Sequence, residues 1–345
     1  MRTTIKHPAK ELRVPAKPLI PEIENDLTRR ELLVAAGLVA LAPGCGSGGG
    51  NGEGASDETK EVEHSLGTSD VPVEPERVIA MDPYVTLPTA LLVGAPVVGT
   101  SRPPFGEDAT AVYIEEDTEG IEDVGWIQPS IETVATLDPD LIIGYETFLE
   151  EPYEQLAEFA PTVGIEPSFG DEWRSNVRKV ARVLGREGAI EEEFELFDGR
   201  LEEFRSRMGG RLGEFTVSLV NIRALDDIRI YVRDVASEIM REAGLERPPA
   251  DETPPDEISV NISAELLPRI EAGTIFYFVG SAGTNPEEAA AQTGELRANP
   301  LWRRLPAVEN GRAYSVDQRW WFESGSIQAA NLVLDDLFEF LVENE

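Results

Sequence analysis

Two stretches of the chain place a carboxylate by the same local device. Ser130-Ile131-Glu132-Thr133-Val134-Ala135-Thr136-Leu137-Asp138 runs toward Leu141-Ile142-Ile143, and Ser263-Ala264-Glu265-Leu266-Leu267-Pro268-Arg269-Ile270-Glu271 runs toward Ile275-Phe276-Tyr277. Aligned on their serines, both put a glutamate two residues on, aliphatics four and seven on, and an acid eight on. Serine is a favourable helix N-cap and an acid in the first turn complements the helix dipole, so capping accounts for each copy by itself. Capping does not account for the recurrence in both halves of the chain. A carboxylate held at a rigid helix start is also a receptor for an arginine fork.

Arginines and aromatic rings gather where apolar runs end. Asp82 and Tyr84 follow Val78–Met81, Ser101 and Arg102 follow Ala95–Gly99, and Trp126 stands just ahead of Ser130. Arg223 follows Leu219-Val220, Tyr231 and Arg233 stand ahead of Ala236, and Arg319, Trp320 and Trp321 precede the last apolar segment. Open α/β sheets place ligands at the loops that follow their strands, so Tyr84, Arg102, Trp126, Arg223, Arg233, Arg319, Trp320 and Trp321 are the candidate ligand contacts. Guanidinium groups suit oxygen anions, and flat rings suit a large, partly apolar ligand. Core packing is the competing reading for each ring, and a surface ion pair for each arginine. The run Trp320-Trp321-Phe322 beside Arg319 is hard to place wholly in one core.

Other chemistry is excluded by counting. After residue 45 the sole histidine is His64, and Cys45 is the only cysteine of the chain. A zinc or manganese carrier needs several imidazoles or thiolates, so direct metal binding and any intrachain disulfide are not expected. There is no Gly-x-Ser-x-Gly elbow and no Walker lysine, which leaves an exported enzyme or a sensory module as lesser readings. Gly44 to Gly49 formally fits a dinucleotide fingerprint, but no strand precedes it.

The remaining signals place the chain in a compartment. Thr28 to Gly50 carries Arg29-Arg30, an apolar run from Leu32 to Ala42, then Cys45 and glycines. The run is too short for a permanent membrane helix and reads as a signal-peptide core, with the paired arginines marking twin-arginine export of a folded domain. Cys45 stands where a lipoprotein would be cleaved and lipidated, although Leu41 lies one place further from it than is usual and Pro43 is atypical; a free thiol is the alternative. Gly46 to Asp57 holds almost nothing to bury, and a flexible tether is expected over 46–61. The formal net charge is -35, and seven basic and five acidic residues in the first 45 leave 23 basic against 60 acidic groups beyond them. Only Lys60 and Lys179 remain as lysines there. Self-repulsion of this size demands salt, so the acid coat resembles that of haloarchaeal proteins and argues against a nucleic-acid partner.

Alternating apolar runs and helical periods must position these groups. Strands are expected at Val78–Met81, Ala95–Gly99 and Asp140–Ile143, with helices over Thr86–Gly94 and Ser130–Leu137, which makes residues 62–170 an α/β lobe. Residues 171–209 show no strand pattern; Val177, Val180, Val183, Leu184, Phe194, Phe197, Leu201 and Phe204 recur at helical spacing, as in helices that bridge two lobes. From Phe215 the strand and helix alternation resumes, giving a second α/β lobe over 210–345.

The segments Arg77–Asp82, Leu91–Thr100, Val124-Gly125 through Ser130-Ile131-Glu132 to Ile143, and Asn299-Pro300-Leu301-Trp302 through Asn310-Gly311-Arg312-Ala313-Tyr314 resemble the ferric-siderophore and cobalamin substrate-binding proteins of ABC importers. The resemblance runs from about Val71 to the end. It implies two Rossmann-like α/β lobes joined by a long rigid helix with the ligand cleft between them, and a monomer that acts by binding and needs no cofactor. It further implies a ferric siderophore as ligand, hydroxamate type favoured and cobalamin the alternative, and an ABC permease dimer with its ATPase as partner. Glu132 and Glu265 match the positions that meet permease arginines. The implied location is the outer face of the cytoplasmic membrane, held there through lipid on Cys45. The sequon Asn261-Ile262-Ser263 overlaps the second docking segment and is expected to be unglycosylated.

Overall fold

The computed structural model describes residues 58–102, 118–126, 128–166, 173–247, 257–280 and 284–343. The paired arginines, the apolar run and Cys45 lie outside them. Where the tether was expected to reach residue 61, the chain is already a strand: β1 (Thr59–His64) pairs antiparallel with β2 (Gly67–Pro72). Alternate residues of β1 are half-buried, a period of two that the acidic composition of TKEVEH conceals.

This hairpin leads into the first lobe. β3 (Val78–Ala80), β4 (Val97–Thr100), β5 (Glu122–Asp123), β6 (Leu141–Tyr145) and β7 (Thr162–Ile165) form a parallel sheet in the order β5-β4-β3-β6-β7. Its central strands read as unbroken apolar runs because helices cover both faces, and Ile79, Leu141, Ile142 and Ile143 are fully buried. Each such side chain contributes about 1.5–3 kcal/mol of transfer free energy. α1 (Thr86–Leu92) follows β3, and α2 (Ile131–Leu137) leads into β6. Two single turns, α3 (Glu146–Leu149) and α4 (Tyr153–Leu156), carry the chain from β6 to β7.

α5 (Trp173–Val183) and α6 (Glu187–Met208) are the bridging helices. Gly185 between them has φ of 69°, and a Cβ there would stand 2.5 Å from the Val73 carbonyl oxygen, so the tight turn requires glycine. Trp173 meets Phe194 and Phe197 edge-on, which locks the two helices together.

The second lobe repeats the first. β8 (Val217–Ala224), β9 (Asp227–Tyr231), β10 (Ser259–Ile262), β11 (Thr274–Val279) and β12 (Ala313–Ser315) run in the order β10-β9-β8-β11-β12, the same 3-2-1-4-5 arrangement. The difference is local: β8 and β9 form a hairpin, so β9 is antiparallel to both neighbours. α7 (Val235–Glu242), α8 (Pro286–Ala298), the single turn α9 (Pro306–Glu309) and α10 (Ile327–Phe338) cover this sheet.

One apolar core runs through α5, α6, α7 and α10 and onto a face of each sheet, from Val78 and Leu141 to Phe276 and Val333. A polar strap adds to it. Ser324 Oγ donates to the Tyr84 carbonyl at 2.8 Å, Gly325 N reaches the same oxygen at 3.3 Å, and Gln328 Nε2 donates to the Pro88 carbonyl at 2.7 Å. Arg200 of α6 is hydrogen-bonded to Asn331 and Asp335 of α10. No helix among the described residues is long and apolar enough to cross a membrane.

Candidate functional site

Between the lobes lies a cavity of about 440 Å³. The first lobe supplies Tyr84, from the turn after β3, and Tyr145, the last residue of β6. The floor comes from α5 through Trp173 and Asn176. The second lobe supplies Arg229 and Tyr231 of β9, the stretch from Arg233 to Val235, and Phe322 with Glu323 from the turn ahead of α10. Most of these positions are strand ends and helix starts, where backbone groups freed from the sheet leave space for a ligand, while Arg229 sits mid-strand and Asn176 within α5.

Several polar groups around the cavity have partners, while Trp173 Nε1 and Asp234 Oδ2 are buried without a hydrogen-bond partner among the described residues. Asp82 is fully buried beneath Tyr84 and accepts hydrogen bonds from the backbone N–H groups of Tyr84, Val85 and Thr86 at 3.1, 2.8 and 3.1–3.2 Å. Burial pushes its carboxyl up despite these donors. Burial, helped by the charge of Asp82, also pushes the Tyr145 phenol up, so it stays a neutral donor and is paired with Asn176. Tyr231 is raised by burial too and bonds Asn221 and Arg229. Asp234 caps α7, accepting from Ser237 N at 2.6 Å, and is raised by burial with Arg247 opposing. Glu323, raised by burial, accepts from Gln318 Nε2 at 2.7 Å.

The eight residues selected from sequence divide into three groups. Tyr84 and Arg233 line the cavity, and Trp126 backs Tyr84 edge-on at 6.2 Å while also meeting Phe148 at 5.0 Å. Arg102 donates to the Ile121 carbonyl at 3.3 Å, and Arg223 reaches Asp227 at 3.6 Å; neither is on the cavity wall. The third group corrects the expectation. Trp321 is fully buried against Phe276 with ring centroids 4.8 Å apart, and Trp320 is half-buried; their indole N–H groups both donate to Asp336 Oδ2, at 2.7 and 2.9 Å. Arg319 is bound by Asp317 at 2.5 and 2.9 Å. The segment Arg319–Glu323 forms a π-turn, whose wider spiral sends the two tryptophans inward and Phe322 toward the cleft.

Tyr145, Asn176, Arg229 and Glu323 were missed. Arg229 was within reach: it stands two residues before Tyr231 on one strand, hence on the same face. Tyr145 also obeys the strand-end rule applied to Tyr84.

Glu132 and Glu265 occupy equivalent places, each exposed in the first turn of the segment that feeds the fourth strand of its lobe. Ser130 Oγ accepts from Thr133 N at 3.2 Å, as a cap should. In the second lobe Ala264–Ile270 is a 3-10 segment rather than an α-helix, because Pro268 lacks the N–H for an α-turn. There Ser263 Oγ donates to Glu265 at 2.5 Å and holds its carboxyl below the usual range.

Two lobes of one strand order, joined by fixed helices over an aromatic cleft, define a two-lobed binding protein. Residues 90–320 match the family described as periplasmic binding protein, and the chain belongs to that family. It is 29% identical over 321 residues to a probable siderophore-binding lipoprotein of Bacillus subtilis (strain 168), covering 91% of this chain and 97% of the relative. It is 26% identical over 320 residues to an iron(3+)-hydroxamate-binding protein of the same organism, covering 89% and 94%. Among solved structures, Staphylococcus aureus SirA complexed with staphyloferrin B superimposes with a TM-score of 0.70 at 24% identity, covering 82% of this chain and 98% of that one.

Proposed function

We propose that this protein captures a ferric siderophore and delivers it to an ABC import permease, acting as a carrier and not as an enzyme. The cavity carries the reading: rings from both lobes and arginines from the second enclose a volume suited to a small chelate. The relatives' described ligands agree with it, one of them an iron-hydroxamate, and a hydroxamate-type chelate is the favoured class. Iron enters already wrapped, as cargo, so the protein needs no ligands of its own for it. Glu132 and Glu265 are the docking carboxylates, each suited to an arginine fork of one permease subunit. Export by the twin-arginine route, lipid on Cys45, residence as a monomer on the outer membrane face, and a haloarchaeal type complete the reading.

A tryptophan-fluorescence titration in molar salt tests it. Quenching should saturate at one equivalent of a ferric chelate, and Tyr84→Ala or Arg233→Ala should weaken binding about tenfold, or 1.4 kcal/mol. Saturation by cobalamin alone, or by no ferric chelate, would overturn the assignment. In cells, Glu132→Ala combined with Glu265→Ala should abolish uptake without altering chelate affinity; normal uptake would dismiss the docking role.

A further inference from the structure

Among the described residues the formal charges that line the cleft cancel: Arg229 and Arg233 stand around one cavity with Asp234 and Glu323. Arg229 is moreover shared with Asp227, whose Oδ1 lies 3.4 Å from its Nε. Behind the wall, Asp82 adds a fully buried carboxyl. Within this set Glu323 has a distinct setting. Its hydrogen bond comes from the neutral Gln318 amide at 2.7 Å, while the nearby Arg319 guanidinium is committed to Asp317 at 2.5 and 2.9 Å. The π-turn that presents it is fixed by the two indoles on Asp336, so the carboxylate cannot easily withdraw.

Ferric complexes differ in charge by class. Three hydroxamates neutralise iron(III), whereas three catecholates leave a trianion. A trianion entering a half-buried site beside a carboxylate that has no direct ion pair, and that the nearby Arg319 charge offsets only in part, meets repulsion that salt screens poorly, and a neutral complex meets none. We propose that Glu323 is a specificity-determining residue that excludes polyanionic ferric chelates and reserves the cleft for chelates of zero net charge. The proposal rests on the siderophore reading above and assigns the selectivity to one side chain.

The test measures dissociation constants of the purified full chain at pH 8 in molar salt for ferrichrome, a neutral ferric trihydroxamate, and for ferric enterobactin, a trianionic triscatecholate. The wild-type protein should favour ferrichrome at least a hundredfold. Glu323→Gln, which retains the size and the Gln318 contact, should reduce that ratio at least tenfold, and Glu323→Ala should do likewise. Glu309→Gln, at an exposed carboxylate of α9, should leave the ratio where it is. An unchanged ratio in both Glu323 variants, with either complex still bound, would overturn the role of Glu323 while the siderophore reading stood. Failure of the wild-type protein to bind either complex would overturn that reading and the inference with it.

Discussion

His64 shows how one side chain can set a local response to pH. Its Nδ1 accepts from Leu66 N at 3.2 Å and Gly164 N at 3.4 Å, and its Nε2 faces Ser69 Oγ at 3.1 Å. The first role requires a neutral ring, and burial holds its pKa below the usual histidine value of 6.5. The unfolded chain therefore binds the proton more readily than the folded one. The stabilisation is complete above pH 6.5 and is lost as pH falls through the lowered folded value. Thermal melts between pH 7 and 5 should show a declining midpoint, with a shallower decline in His64→Ala; equal slopes would show that His64 is not the group responsible. Glu63, Glu166, Lys179 and Arg182 line the same groove and are common to both proteins. At this scale the sequence was only partly legible. Tyr84 and Arg233 follow from a rule about strand ends, but the inward turn of Trp320 and Trp321 depends on a π-turn and on Asp336, fifteen and sixteen residues away, which no local pattern reveals.

That π-turn is the element on which the second-lobe wall of the cleft depends. Asp336 Oδ2 receives both indole protons, and burial pushes its carboxyl up even so. Asp336→Leu should leave two donors unpaired and cost about 2–4 kcal/mol, whereas Asp336→Asn keeps an acceptor oxygen and should restore most of the loss. Urea unfolding of the two variants checks this; equal destabilisation would mean that packing rather than the shared acceptor anchors the turn. Elements were the most legible level of the chain. Leu141-Ile142-Ile143 is a run that only a strand covered on both faces tolerates, and the helical spacing from Val177 to Phe204 matches α5 and α6. Two departures have plain causes: Pro268 turns the Ala264–Ile270 segment into a 3-10 spiral, and glutamates masked the alternation of β1.

For the whole molecule, charge is the dominant fact. With 60 acidic against 23 basic groups beyond residue 45, repulsion opposes folding until salt shortens its range from about 10 Å at 0.1 M to about 3 Å at 1 M. The urea midpoint should therefore rise steeply between those concentrations; a flat response would remove the case for a salt-adapted protein. The two-lobe plan was readable from the alternation of runs, whereas the shared strand order arises from pairings within each lobe between strands far from adjacent in the chain, such as Val78 with Leu141 and Val217 with Thr274, and the strap between lobes from contacts 240 residues apart. That strap has a consequence for traffic. Because Ser324 and Gly325 grip the Tyr84 carbonyl and Gln328 grips that of Pro88, the two halves should have little room to swing, and filling the cleft should change the outline only slightly. A permease of the kind proposed above would then meet nearly the same shape from vacant and laden copies. The two would compete for one berth, and throughput would follow the laden fraction of the carrier population as much as the amount of cargo outside.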